Sequence, residues 1–214
     1  TRLPISQFSH DDIIRTAIFH PEQELILTAS DDKSARLWDF DGNQLTLLQH
    51  DAPIRSAIFH PEKELILTTS DDKSARLWDF DGNQLAQFPH DAFVNSTEFH
   101  PEQDIILTVS GLKSVSLWDF PGNEMIRISF DDALIWAAHF RPEQDIILAL
   151  INSDVRLWDF DGNELARLTH NQRVWSAIFH PEENFILTLA EESNARLWNL
   201  DSNQLTMLPH DAPV

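Results

Sequence analysis

The sequence predicts an all-β repeat protein, a β-propeller built from five four-stranded antiparallel units. Three observations predict it. A forty-residue unit recurs: SDDKSARLWDFDGNQL at 30–45 returns letter for letter at 70–85, with looser copies at 110–125, 151–165 and 190–205. Each unit holds four short β-prone runs separated by turn residues, and no stretch has helical periodicity. A fixed period of this size makes each unit one supersecondary module that covers its apolar surface only against its neighbours.

The second unit shows each element in order. Ile54-Arg55-Ser56-Ala57-Ile58-Phe59 is the first strand, and His60-Pro61-Glu62-Lys63 turns the chain because proline presets φ and has no ladder donor. Leu65 to Ser70 forms the second strand, stopped by Asp71-Asp72, and Ser74 to Phe80 the third. Asp81-Gly82 is a tight-turn signal leading into a fourth strand, Gln84 to Phe88. Connections this short force antiparallel neighbours, so each unit is a meander. Five meanders in a row suit a propeller better than a sandwich.

Composition narrows the function. The chain has 214 residues, 42% hydrophobic and 10% aromatic, enough for a sizeable core, and lacks a long apolar run for a membrane span or signal peptide. With no cysteine, disulfides, thiolate catalysis and cysteine zinc sites are excluded. Fifteen Lys and Arg face 35 Asp and Glu, a net charge of −20. Such a surface repels phosphate backbones and anionic lipid, so the expected partners exclude nucleic acid and membrane and favour basic protein surfaces. Acidity also serves solubility and keeps strand edges apart. A cytoplasmic location is expected.

The unit resembles a WD40 repeat, whose blade has a Gly-His start and a Trp-Asp end. The His stands at His10, His50, His90, His170 and His210, and Leu-Trp-Asp at 37–39, 77–79, 117–119 and 157–159, with Leu197-Trp198-Asn199 last. Phe-His-Pro-Glu replaces the family's Phe-Ser-Pro-Asp, and Ser, Gln, Pro or Thr precedes the His in place of Gly. The Arg-Leu-Trp-Asp-Phe-Asp-Gly-Asn-Gln-Leu wording resembles repeats of bacterial, particularly cyanobacterial, signalling proteins. Blades are expected at 10–49, 50–89, 90–129, 130–169 and 170–209, forming one repeat domain. Residues 1–9 read as the outer strand of a preceding blade and 210–214 as the start of a further repeat. The expected object is an open arc or a segment of a larger propeller, whose edges pair with further repeats or another copy.

The resemblance implies a structural tetrad of His, Ser/Thr, Asp and Trp in each blade. It maps to His10, Ser30, Asp32 and Trp38 in blade 1, and to His50, Ser70, Asp72 and Trp78 in blade 2. A buried indole N–H needs an acceptor, which a hydroxyl supplies while passing a proton on to a His held by a carboxylate. Blade 3 keeps His90, Ser110 and Trp118 with Leu112 for the acid, blade 4 keeps only Trp158, and blade 5 keeps His170 and Trp198. A Ser, a His and an Asp also suggest a catalytic triad, but a constellation repeated in blade after blade, with its hydroxyl used on a Trp, reads as structural. Blades 3 to 5 are expected to be less regular.

Two further patterns read as turns. His20, His60, His100 and His180 recur in separate blades rather than converging on a metal. Asp-Phe-Asp-Gly-Asn at 39–43, 79–83 and 159–163 has its Gly fourth rather than sixth and no bidentate Glu, so a hairpin replaces the calcium-loop reading. No metal, cofactor or catalytic residue is assigned.

Function is expected where the units disagree. On the first strand, which the resemblance places nearest the central channel, one position reads Arg15, Arg55, Asn95, Trp136 and Trp175. Two residues earlier stand Ile13, Pro53, Phe93, Leu134 and Arg173. Before the tetrad acid come Asp31, Asp71, Gly111, Ser153 and Glu191. A constant scaffold with variable rim residues points to a partner site at Ile13, Arg15, Arg55, Phe93, Asn95, Trp136, Arg173 and Trp175, since Arg and Trp dominate binding hot spots. The alternative is drift of recent duplicates at exposed sites. The expected function is a non-enzymatic protein-interaction scaffold or sensor module of a larger bacterial signalling protein, with a protein or peptide partner presenting basic and apolar groups. A propeller glycoside hydrolase needs convergent carboxylates, and the innermost strands offer only Glu98. A purely architectural array is the third reading.

Overall fold

A computed structural model describes residues 7–131, 133–141, 144–192, 194–200 and 204–209. The repeat start expected at 210–214 and most of the outer strand expected at 1–9 lie outside them. Phe8, within them, meets Trp38 edge-on at 5.7 Å, as Phe88 of one blade meets Trp118 of the next.

Every regular element among the described residues is a strand. The first sheet holds β1 (Ile14–Phe19), β2 (Leu25–Ser30), β3 (Ser34–Asp39) and β4 (Gln44–Gln49). The second holds β5 (Ile54–Phe59), β6 (Leu65–Ser70), β7 (Ser74–Asp79) and β8 (Gln84–Pro89). β9 (Val94–Phe99), β10 (Ile105–Ser110), β11 (Ser114–Asp119) and β12 (Glu124–Ser129) form the third. The fourth is β13 (Ile135–Phe140), β14 (Ile146–Ile151), β15 (Asp154–Asp159) and β16 (Glu164–Thr169). The fifth is β17 (Val174–Phe179), β18 (Phe185–Ala190), β19 (Asn194–Asn199) and β20 (Gln204–Pro209). In each sheet the strands lie in sequence order, a four-stranded meander.

Turn chemistry sets these boundaries. Asp39 N–H and Asn43 C=O close the hairpin between β3 and β4, and Gly42 takes φ 91°, which glycine adopts without a Cβ clash. Three residues join β2 to β3, with Lys33 at φ 71°. In blade 4 only Asn152 and Ser153 join β14 to β15, while the loop before β13 is one residue longer than its counterpart before β9. The two changes cancel and restore the period.

The chain divides into two compact units. One comprises residues 1–99, 104–111 and 118–124, the other 100–103, 112–117 and 125–214, so the boundary passes through the third sheet. In the first unit, Leu27 and Leu37 of blade 1 pack with Ile54, Ile66 and Trp78 of blade 2, and Leu67, Leu77 and Phe88 of blade 2 with Val94, Ile106 and Trp118. In the second, Leu148, Leu157 and Leu168 of blade 4 pack with Val174, Ile186 and Trp198 of blade 5. The five equivalent tryptophans, Trp38, Trp78, Trp118, Trp158 and Trp198, are 2–6% exposed. Fully burying such a ring is worth about 1.5–3 kcal/mol or more, so Trp78, Trp118 and Trp198 anchor their blades to the preceding ones.

Candidate functional site

The variable position of the first strand is a β-bulge in all five blades. Ile14 faces Ser30 and Thr16 faces Ala29, which leaves Arg15 as the extra residue. The same slip isolates Arg55 between Ile54 and Ser56, Asn95 between Val94 and Ser96, Trp136 between Ile135 and Ala137, and Trp175 between Val174 and Ser176. A bulge bends the strand and re-aims the extra side chain, and Arg15, Arg55, Trp136 and Trp175 are exposed there while Asn95 is half-buried. Ile54, Val94, Ile135 and Val174 beside them are buried, while Trp136 is 38% and Trp175 51% exposed.

In the first unit the bulge arginines are neutralised locally. Arg15 grips Asp31 through Nε at 2.8 Å and Nη2 at 2.5 Å, which holds the Asp31 carboxyl below its usual range. Arg55 Nε donates to Asp71, and its guanidinium lies 4.5 Å from the Phe93 ring centre. Arg15, Asp31, Arg55 and Asp71 line one small cavity of about 140 Å³. Ile13 is exposed in the loop before β1, and Asn95 is half-buried.

The second unit arranges the same positions differently. The Arg173 guanidinium lies 3.7 Å from the Trp136 ring centre and 4.7 Å from that of Trp175. It makes no ion pair among the described residues, and its buried Nε has no acceptor there. Trp136 and Arg173 line a cavity of about 370 Å³ with Asn152, Ser153, Asn171, Gln172 and Glu191. The expected rim residues are thus brought together within each unit, Arg15 with Arg55 and Phe93, and Trp136 with Arg173 and Trp175.

Beneath this surface lies the hydrogen-bonded network, with one correction. The hydroxyl between His and Trp belongs to Thr28, not Ser30. Trp38 Nε1 donates to Thr28 Oγ1 at 2.8 Å, Thr28 Oγ1 lies 2.7 Å from His10 Nε2, and His10 Nδ1 is 2.9 Å from Asp32 Oδ2. The acceptor at Nδ1 assigns that nitrogen the proton. The register explains the correction. Trp38 faces Ile26, so Thr28 is its diagonal neighbour on the same face, while Ser30 lies four residues along, about 13 Å away. Ser30 instead donates to the Asp12 carbonyl and accepts from the Asp32 N–H, each at 3.1 Å. Ser70 and Ser110 likewise donate to the Ala52 and Ala92 carbonyls, while Thr68, Thr108 and Thr188 receive Trp78, Trp118 and Trp198. Among the described residues, Ser30 and Ser70 make no hydrogen bond to a tetrad His.

The acid end varies. Burial alone would raise Asp72, but the Ser74 hydroxyl, His50 and the Asp51 N–H hold it below its usual value, and Asp32 is lowered in the same manner. Arg76 Nη2 adds an ion pair to Asp72 at 2.9 Å. In blade 3, with Leu112 in place of the acid, His90 Nδ1 turns to the Phe88 carbonyl at 2.8 Å. In blade 5, Glu192 takes the Asn171 N–H and Arg196, as Asp32 takes the Asp11 N–H and Arg36, but His170 Nδ1 makes no well-formed hydrogen bond among the described residues. Blade 4 has Phe130 for the His and Ala149 for the Thr. Phe130 packs on Trp158 at 6.0 Å under Arg156, and the acid moves into the strand as Asp154, held by Arg167 at 2.5 Å.

The turn histidines have a role the sequence did not reveal. His20 Nδ1 accepts the N–H groups of Glu22 and Gln23, and its ring meets Phe59 and Phe80 of the next blade at 4.7 and 5.8 Å. His60 and His100 repeat this against Phe99 and Phe120, and Phe140 and Phe160. In blade 4, Arg141 lies over Phe179 of blade 5. The regular phenylalanines at 59, 99, 120 and 160 were the available signal, but only inter-blade distance shows the stacking. Asp39, Asp79, Asp119 and Asp159 spend their carboxylates on Asn43, Asn83, Asn123 and Asn163 of their own hairpins, which lowers each of them.

The family model described as WD domain, G-beta repeat matches residues 3–39, 42–79, 82–119 and 162–199, more than half of the chain. The chain belongs to the WD40 family. Each matched WD40 repeat contains a Thr and Trp pair of the network, and the unmatched stretch is where Phe130 and Ala149 replace His and Thr. WD40 repeats generally mediate protein–protein interaction, and the family is typically non-enzymatic. No curated protein matches the chain. Among solved structures it is similar to the crystal structure of the computationally designed Ika8 protein, 17% identical with a TM-score of 0.77 over 98% of this chain. The WD40 chain spans 66% of the length of that one. With 1543 chains of solved structures matching, this likeness identifies the fold and not a function. No helix among the described residues is long and apolar enough to cross a membrane.

Proposed function

We propose that this WD40 chain is a non-enzymatic scaffold or sensor module of a larger bacterial signalling protein, working in the cytoplasm and binding a protein or peptide that presents basic and apolar groups. The observation that carries the reading is the cluster of Trp136, Arg173 and Trp175 beside a 370 Å³ cavity. Two indoles 38% and 51% exposed on bulges of rigid strands have the composition and mounting of a binding hot spot. The net charge of −20 supports the basic character of the partner. Against an enzyme, the acids nearest the bulges in the first unit, Asp31 and Asp71, are tied up by Arg15 and Arg55.

The test is selection of a displayed random peptide library on the wild type and on a Trp136→Ala, Trp175→Ala double variant. The wild type is expected to enrich peptides combining Lys or Arg with large apolar residues, and the double variant to lose that enrichment at nearly unchanged thermal stability. A double variant that unfolds would return both tryptophans to the packing of the blades. A library that enriches nothing would favour the architectural array.

A further inference from the structure

We propose that Arg173 is a receptor for one carboxylate of the partner, an Asp or Glu side chain that docks on its guanidinium between apolar neighbours. This deepens the interaction reading and rests on it. The equivalent positions of the repeat carry the argument. In blades 1 and 2 an arginine on the bulge pairs with the acid sixteen residues later, Arg15 with Asp31 and Arg55 with Asp71. In blade 5 the bulge holds Trp175, the arginine stands two residues earlier at 173, and Glu191 occupies the place of Asp31. The displaced guanidinium lies on two indoles and pairs with no acid among the described residues.

A guanidinium packed on aromatic faces keeps its donors in the ring-free plane, where they need acceptors. Here Nε is buried without one, and the group sits on a cavity whose other lining is mainly neutral amides and a hydroxyl. A carboxylate fits the Nη1 and Nη2 end of this guanidinium, which makes no bond among the described residues, with two parallel bonds. About 370 Å³ holds a side chain and part of a backbone. Glu191 at the same cavity opposes a doubly charged phosphate more than a singly charged carboxylate, which sets the ligand class.

The experiment compares two blocked pentapeptides, acetyl-Lys-Leu-Glu-Leu-Lys-amide and its Gln twin, by isothermal titration. The acidic background of the protein attracts the more positive Gln twin, so general electrostatics predict the opposite order. The Glu peptide is expected to bind at least tenfold more tightly, Arg173→Gln to erase that difference, and Glu191→Gln to tighten the Glu peptide severalfold. Should Arg173→Gln fail to fold, the Glu191→Gln response and the peptide pair on the wild type still decide. Equal affinities overturn the carboxylate receptor and leave the interaction reading intact. Binding of neither peptide overturns both. Tighter binding of a phosphoserine analogue than of the Glu peptide overturns the ligand class.

Discussion

Blades 1 and 2 hold a complete chain from Trp through Thr and His to Asp, with bulge arginines locked to acids. Blades 4 and 5 have lost parts of that chain, and their bulges carry tryptophans around an unpaired arginine. Blade 4 nevertheless buries its core strands as blades 1 and 2 do, and blade 5 keeps Trp198 and Ile186 buried while Leu187, Leu189 and Leu197 are half-buried. The comparison teaches that burial of the Trp and the inter-blade leucines supplies most of the stability. The polar chain adds about 1 kcal/mol per bond and mainly fixes orientation. A blade can shed the His if an apolar substitute such as Phe130 fills the space, although Ala149 then leaves the Trp158 N–H without the Thr hydroxyl that its counterparts use.

The largest effect expected from this contrast is at the acid. Asp72→Ala removes a buried carboxylate that serves His50, Ser74, Arg76 and the Asp51 N–H, and should cost about 3 kcal/mol. Glu192→Ala in blade 5, where His170 keeps its bond to Thr188 but makes none to the acid, should cost about half as much. Urea denaturation of the two variants decides it, and equal losses would mean that the His bond contributes nothing.

Next comes the hydroxyl. Thr68→Val keeps the shape but strands the Trp78 N–H and His50, at a cost of about 2 kcal/mol. Rebuilding blade 4 tests the same idea in reverse. Ala149→Thr alone restores an acceptor for the Trp158 N–H and should gain about 1 kcal/mol, and adding Phe130→His should give a further favourable coupling of about 1 kcal/mol in a double-mutant cycle. Additive single effects would show that the network has no cooperative part.

The smallest effect is on pH dependence. Burial pushes His50, His60 and His170 below the ordinary imidazole value. A depressed pKa means the unfolded chain takes up protons first, so their contribution is present above about pH 6.5 and declines as pH falls. Asp32 and Asp72, also depressed, contribute above about pH 4 and lose that below it. The urea midpoint should therefore drop from pH 7.5 to pH 5, and less so for His170→Phe, which copies blade 4. A flat profile for the wild type in that range would contradict the assignment of neutral buried histidines.

The sequence by itself determined the repeat, the four strands per blade, the turns at His-Pro and Asp-Gly and the buried Trp at the end of each third strand, because these follow from local propensity and a fixed period. It also pointed to the divergent positions 15, 55, 95, 136 and 175. Tertiary structure alone decided what those positions do. Whether Thr28 or Ser30 reaches Trp38 depends on cross-strand register, and whether Arg15 meets Asp31 depends on a bulge that shifts that register by one residue. That His20 stacks on Phe59 while Arg173 stacks on Trp136 depends on the distance between neighbouring blades. Register, bulge and blade spacing are set by the packing of residues far apart in the chain, so no local pattern records them.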